Sequence, residues 1–158
     1  MSGRAEVAGN CELDTVCTRD NRKAYKKKVD FVNPKDIDSE LTVKQYLTFY
    51  TMVSGSYHDG TTEELIKVFT ELHKEQIINK KVNELSQKDR IIVRCIAAYL
   101  RNIKLLLSKN LLAYRTEEEK GEILEFLQKY FVKKSCYCIL FEDNKECTSD
   151  IIDDVRQI

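Results

Sequence analysis

Six cysteines and two histidines are the side chains of this sequence best suited to chemistry, and their spacing argues against most of it. Cys11 and Cys17 lie six apart, Cys136 and Cys138 flank Tyr137, and Cys147 follows nine residues later. Structural zinc sites are usually built from paired knuckles of the C-x₂₋₄-C type, which this spacing does not supply. Cys95 sits inside an apolar run, where a thiol acts as a small core residue. His73 and Cys95 could meet across two packed helices as base and nucleophile. An apolar setting raises a thiol's pKa and leaves it inert. His58, next to Asp59 and between two glycines, reads as a solvated loop histidine. Neither G-x-x-x-x-G-K-[ST] nor G-x-G-x-x-G occurs, so no phosphate-gripping loop is predicted. The acidic stretches 143–146 and 150–154 lack the spacing of a calcium loop. The residues therefore predict no catalytic site, no metal and no cofactor.

One charged segment stands out. Residues 19–28 carry Arg19, Arg22, Lys23, Lys26, Lys27 and Lys28 against the single acid Asp20. Such a run can contact phosphates, bind an importer or keep an arm in solution. Its cations and nearby rings make Arg22, Lys23, Tyr25, Lys26, Lys27, Lys28 and Phe31 the predicted partner-binding residues. The chain as a whole has 26 basic and 26 acidic residues, which removes the excess positive charge typical of a polyanion binder.

The elements that would hold these residues read as helices. A hydroxyl stands three residues before an acid or amide at Thr42/Gln45, Thr61/Glu64, Ser86/Asp89 and Thr116/Glu119. That spacing lets the hydroxyl accept from a free amide at a helix start. An apolar stripe follows each signal. Val43, Tyr46, Leu47, Tyr50 and Val53 predict a helix over about 42–54, ended by Gly55. Leu65, Ile66, Phe69 and Leu72 predict one over about 62–80. From Ile91 to Leu107 apolar residues point in nearly every direction, which predicts a central, buried helix over about 87–108. Ile123, Leu124, Leu127, Tyr130 and Phe131 predict a fourth over about 117–134. Residues 136–141 have strand-like composition but no visible strand to pair with. Thr148 or Ser149 could cap a last short helix carrying Ile151, Ile152 and Val155.

Five glycines and one proline leave few breakers, against a many-turned β fold. The predicted architecture is all-α: a compact bundle of four to six helices around the central helix. Residues 1–38 form a flexible N-terminal arm, and residues 39–158 form one helical domain. No apolar leader opens the chain and no run of about 18 apolar residues occurs, so a cytoplasmic or nuclear protein without a membrane span is expected. The function predicted is a non-enzymatic protein–protein interaction module, an adaptor or complex subunit that binds a partner through a helical groove and its terminal arms. The alternative is a nucleic-acid-associated factor using segment 19–28. A Cys/His enzyme stands third.

Overall fold

The computed structural model describes residues 12–13, 16–17 and 27–143. Two sheets of different kinds occur among the described residues. Strand β1 (Glu12–Leu13) pairs antiparallel with β2 (Val16–Cys17). The main sheet has three parallel strands in the order β3 (Val29–Val32), β4 (Leu105–Lys109), β5 (Tyr137–Phe141). Val29 faces Leu105, and Leu105 faces Tyr137 on the other side. Four α-helices lie wholly within the described residues: α1 (Val43–Ser54), α2 (Thr61–Glu71), α3 (Gln87–Leu100) and α4 (Glu117–Tyr130). The first three lie in the crossover from β3 to β4, and α4 carries the chain from β4 to β5.

This overturns the all-α expectation. The expected helix over 87–108 is two elements. Helix α3 stops at Leu100, Asn102 takes a left-handed φ of 52°, and the chain re-enters as β4. Asparagine is among the few residues that adopt this region without a large penalty, so Asn102 ends the helix. Leu105, Leu106 and Leu107 then join a ladder with β3 on one side and β5 on the other. Of residues 136–141, expected to lack a partner, Tyr137–Phe141 pair with that hidden strand. Val29–Val32 lies within the segment assigned to the arm and forms an edge of the same sheet.

The local signals hold at three helix starts. Thr42 and Thr116 form full capping boxes with Gln45 and Glu119. Ser86 Oγ accepts from the Asp89 amide at 3.1 Å and donates to its carboxylate at 2.8 Å. At α2 the cap is Gly60. Thr61 is already helical, and its hydroxyl instead accepts from the His58 amide at 2.9 Å. Helix α2 ends at Glu71, nine residues short of the expected end, because His73 turns to a φ of 53°.

Helix α3 runs through the core. Ile91, Ile92, Val93, Cys95, Ile96, Ala97 and Ala98 are all buried, with α1, α2, α4 and β3 packed around them. Each large apolar side chain enclosed here contributes about 1.5–3 kcal/mol. Strand β3 is tied to this helix by charge. Asp30 accepts from Arg94 Nη1 at 2.9 Å and Nη2 at 2.7 Å, and lies 2.7 Å from Arg101 Nη1. The Arg94 guanidinium also stacks 4.7 Å from the centre of the Tyr50 ring on α1. Burial works to raise the pKa of Asp30, but the two arginines and the Phe31 amide together hold it below its ordinary value.

The two faces of the sheet differ. Asp30, Val32, Leu106 and Ser108 point into the helical layer and are buried. The other face carries Val29, Phe31, Leu105, Leu107, Tyr137, Ile139 and Phe141. Among the described residues no helix covers it, and Phe31, Tyr137, Ile139 and Phe141 are 49%, 70%, 45% and 41% exposed.

Candidate functional site at the carboxyl edge of the sheet

All three strands run the same way, so their carboxyl ends lie along one edge. In open α/β sheets that edge is where ligands bind, because the loops leaving the strands converge there. Here the edge presents Asn33 after β3, Lys109 and Asn110 at the end of β4, and Glu142 and Asp143 after β5.

Hydrogen bonds organise these groups into a frame. Ser108, the last buried position of β4, donates from its hydroxyl to the Val32 carbonyl at 2.8 Å. Asn110 adopts a left-handed φ of 55° and turns the chain out of the sheet. Its amide donates to the Phe141 carbonyl at 2.7 Å. Its side chain and Asp143 bond reciprocally: Nδ2 donates to Asp143 Oδ2 at 2.7 Å, and the Asp143 amide donates to Oδ1 at 3.0 Å. Asn33 Nδ2 donates to Asp36 Oδ2 at 2.8 Å and so holds the turn after β3.

Glu142 is the most constrained acid of the edge. Its Oε1 accepts from the Leu112 amide at 3.1 Å, while its Oε2 is enclosed by protein without a hydrogen-bond partner. Burial pushes its pKa above the ordinary value, and the neighbouring Asp143 adds to that. The amides of Leu112, Leu111 and Ala113 pull the other way without cancelling it. A run of amides turned toward a carboxylate is the arrangement that elsewhere grips anions. Here the carboxylate after β5 meets the amides of the loop after β4. The same loop reaches α3, where Arg115 Nη1 donates to Gln87 Oε1 at 2.8 Å.

Of these edge residues the sequence drew attention only to Asp143, as part of an acidic stretch without calcium-loop spacing. The available signal was the turn Arg101-Asn102 before an apolar triplet followed by Ser-Lys-Asn, which fits a strand leaving a core as well as a helix. Of the predicted partner-binding residues, Arg22, Lys23, Tyr25 and Lys26 lie outside the described residues. Lys27 and Lys28 directly precede β3, and Phe31 sits on the uncovered sheet face. Cys11 and Cys147 also lie outside the described residues, as does the expected last helix. Cys95 is fully buried and its thiol pKa is pushed up to about 12 by that burial. That is a core thiol and not a nucleophile. No helix among the described residues is long and apolar enough to cross a membrane.

No family profile and no curated protein matches this chain. Solved structures do. The chain is similar to an ATP-binding protein of a putative ABC transporter from Pyrococcus furiosus, with a TM-score of 0.63 at 19% identity over 86% of this chain and 65% of that one. It is similar to an ATP-binding cassette of an ABC transporter in its ADP conformation, with a TM-score of 0.61 at 16% identity over 76% of this chain and 53% of the other. It is also similar to cbiO1 from Clostridium perfringens, part of the ABC transporter complex cbiONQ, with a TM-score of 0.60 at 15% identity over 75% and 48%. The chain thus spans about half to two thirds of the structures it resembles. These likenesses overturn both the helical-bundle architecture and the non-enzymatic adaptor inferred from it. The fold this chain shares is that of ATP-binding cassettes of ABC transporters, an α/β fold with a parallel sheet.

Proposed function

We propose that the chain forms part of an ATP-binding-cassette unit in a transport-related ATPase, with the phosphate-gripping loop supplied by polypeptide outside these 158 residues. The observation that carries this reading is the face of the parallel sheet that no helix covers among the described residues. Parallel sheets are almost always covered on both faces, because their strands are apolar on both. Here Phe31 on β3 and Tyr137, Ile139 and Phe141 on β5 are exposed, and the half-buried Leu105 and Leu107 of β4 lie between them in the ladder. Scattered apolar residues are normal on a surface, but a patch of this kind marks an interface. The resembling structures, being longer, have chain to spare for a second layer.

The residues present do not fit a magnesium nucleotide by themselves. Phosphate-loop ATPases hold the phosphates with a glycine-rich loop and its lysine, and the metal with that loop's Ser or Thr and an aspartate. The loop motif is absent from the sequence. Strand β4 ends in Ser108-Lys109-Asn110, without an acid, and the Ser108 hydroxyl is committed to Val32. Of the two nearby acids, Glu142 is bound to the Leu112 amide of the loop after β4 and Asp143 to Asn110. We therefore derive no hydrolytic step from this chain alone. Its contribution to a joint site is the polar carboxyl edge, with the Lys109 amine as its exposed cation. The reading puts the chain in the cytoplasm.

The test is to isolate the native assembly through a tag on this chain and measure ATP hydrolysis, for the wild type and for Ile139→Lys. We expect hydrolysis in the wild-type assembly, little nucleotide binding by the chain alone, and loss of the assembly in the variant with unchanged circular dichroism. A wild-type assembly that does not hydrolyse ATP would refute the reading, as would an Ile139→Lys chain that assembles normally.

A further inference from the structure

At the opposite, amino-terminal edge of the sheet lies a cavity of about 490 Å³. Its floor is Ile103, just before β4, and Cys136, just before β5. Its walls are the C-terminal ends of α3 and α4 and the loop that carries His58. The volume lies in the range of small-molecule sites. Strand β4 is five residues long, so this cavity is roughly 15 Å from the carboxyl edge and cannot share a small ligand with it.

The lining pairs aromatic surface with surplus positive charge. Tyr99 packs edge-on against Tyr130 at 5.4 Å and against Phe131 at 6.3 Å, giving three rings on one wall. Lys134 reaches over the Tyr99 ring, 4.3 Å from its centre, and hydrogen-bonds the Tyr99 hydroxyl. Arg101 lines the cavity as well. Its carboxylate partner, Asp30, is already held in a two-pronged pair by Arg94. One carboxylate thus serves two guanidiniums, and one positive charge is left over beside the cavity. A partly buried cluster of two guanidiniums and one carboxylate keeps a net positive charge, and an anion placed here offsets it. His58 adds a donor. Its Nδ1 accepts from the Gly60 amide at 3.2 Å, so the neutral ring carries its proton on Nε2. The acid lining the cavity is Glu64, whose Oε2 lies 4.0 Å from that nitrogen.

We propose that this cavity binds a small aromatic anion, a carboxylate or a phosphate ester, at a site separate from the carboxyl edge. The rings receive the apolar body, and Lys134, with the unmatched arginine charge behind it, receives the anionic group. The inference does not depend on the transport reading.

The experiment is a titration of the isotopically labelled full chain, followed by NMR, with phenyl phosphate, 3-phenylpropionate and 2-phenylethylamine at constant ionic strength. Ligands of this size reach a Kd of about 1 mM. We expect saturable shifts at Ile103 and Phe131 with the two anions and none with the amine. Tighter binding of phenyl phosphate assigns the site to phosphate esters, and tighter binding of phenylpropionate assigns it to carboxylates. Lys134→Gln, an exposed position, should weaken binding about tenfold through loss of one charge-assisted contact. Lys67→Gln, which removes the same charge from the outer face of α2, should change nothing. The proposal is overturned if neither anion saturates, if the amine binds equally, if Lys134→Gln has no effect, or if the shifts map to Phe31 and Ile139 on the sheet face.

Discussion

Replacing Asp30 by Asn should be among the most damaging single changes to this fold that keep the side chain's size. The buried carboxylate accepts from Arg94 through two hydrogen bonds and pairs with Arg101, and its Oδ1 also accepts from the Phe31 amide at 2.8 Å. Removing one partner of a buried pair costs about 3–5 kcal/mol, because the remaining charge is left without compensation. Asparagine keeps one acceptor oxygen, which puts the expected cost near the lower end, about 3 kcal/mol. With a urea m-value of about 2 kcal/mol/M, the unfolding midpoint should fall by roughly 1.5 M. The two-to-one geometry sets an order that a simple ion pair would not. Arg94→Met leaves Asp30 matched one-to-one with Arg101, so it should cost about 1–2 kcal/mol less than Asp30→Asn. The pH dependence has a definite sign. The folded pKa of Asp30 lies below its reference value of 3.8, so its stabilisation is complete above that value and is lost as pH falls through the lower folded value. Wild-type stability should therefore drop more steeply below about pH 4 than that of the Asn variant. Urea titrations monitored by circular dichroism across pH 2.5–7 decide this. An Asp30→Asn variant within 1 kcal/mol of wild type would refute the reasoning, as would an Arg94→Met variant that costs more.

Three further outcomes are expected. Thr116→Ala removes the hydroxyl that accepts from the Glu119 amide at 3.2 Å, and should cost about 1 kcal/mol in a thermal or urea melt. The folded pKa of Glu142 is raised, so the folded state holds its proton more tightly than the unfolded chain, and stability falls as pH rises from the reference value of 4.5 through the raised one. Glu142→Gln keeps an acceptor for the Leu112 amide and should flatten that slope; an unchanged slope in paired pH–urea series would place the titration elsewhere. Cys95 should resist iodoacetamide at pH 8 in the native protein and react only after unfolding, as peptide mass spectrometry would show; rapid native labelling would contradict its burial.

Local chemistry was legible in the sequence and non-local pairing was not. The caps at Thr42, Ser86 and Thr116 could be read because each joins a hydroxyl to an amide three residues on, within one turn. The apolar stripe of α4, the buried Val43, Tyr46 and Leu47 of α1 and the burial of α3 followed from a 3.6-residue period, whereas Val53, expected on the α1 stripe, is 71% exposed. Strand β4 could not be read this way. Leu105, Leu106 and Leu107 form an unbroken apolar run, which suits a strand flanked on both sides and a buried helix equally. What decided between them lies far along the chain: Val29 is 76 residues before its partner Leu105, and Tyr137 is 32 residues after it. The site inherits the same dependence. Asn110, Glu142 and Asp143 meet only because two parallel strands end side by side, and the charge left beside the second cavity exists only because β3 brings a single Asp30 to both Arg94 and Arg101. Composition and period determined where most helices begin and which of their faces are buried. The tertiary structure decided which apolar run became the central strand, because backbone ladder bonds form only with partners that folding brings together.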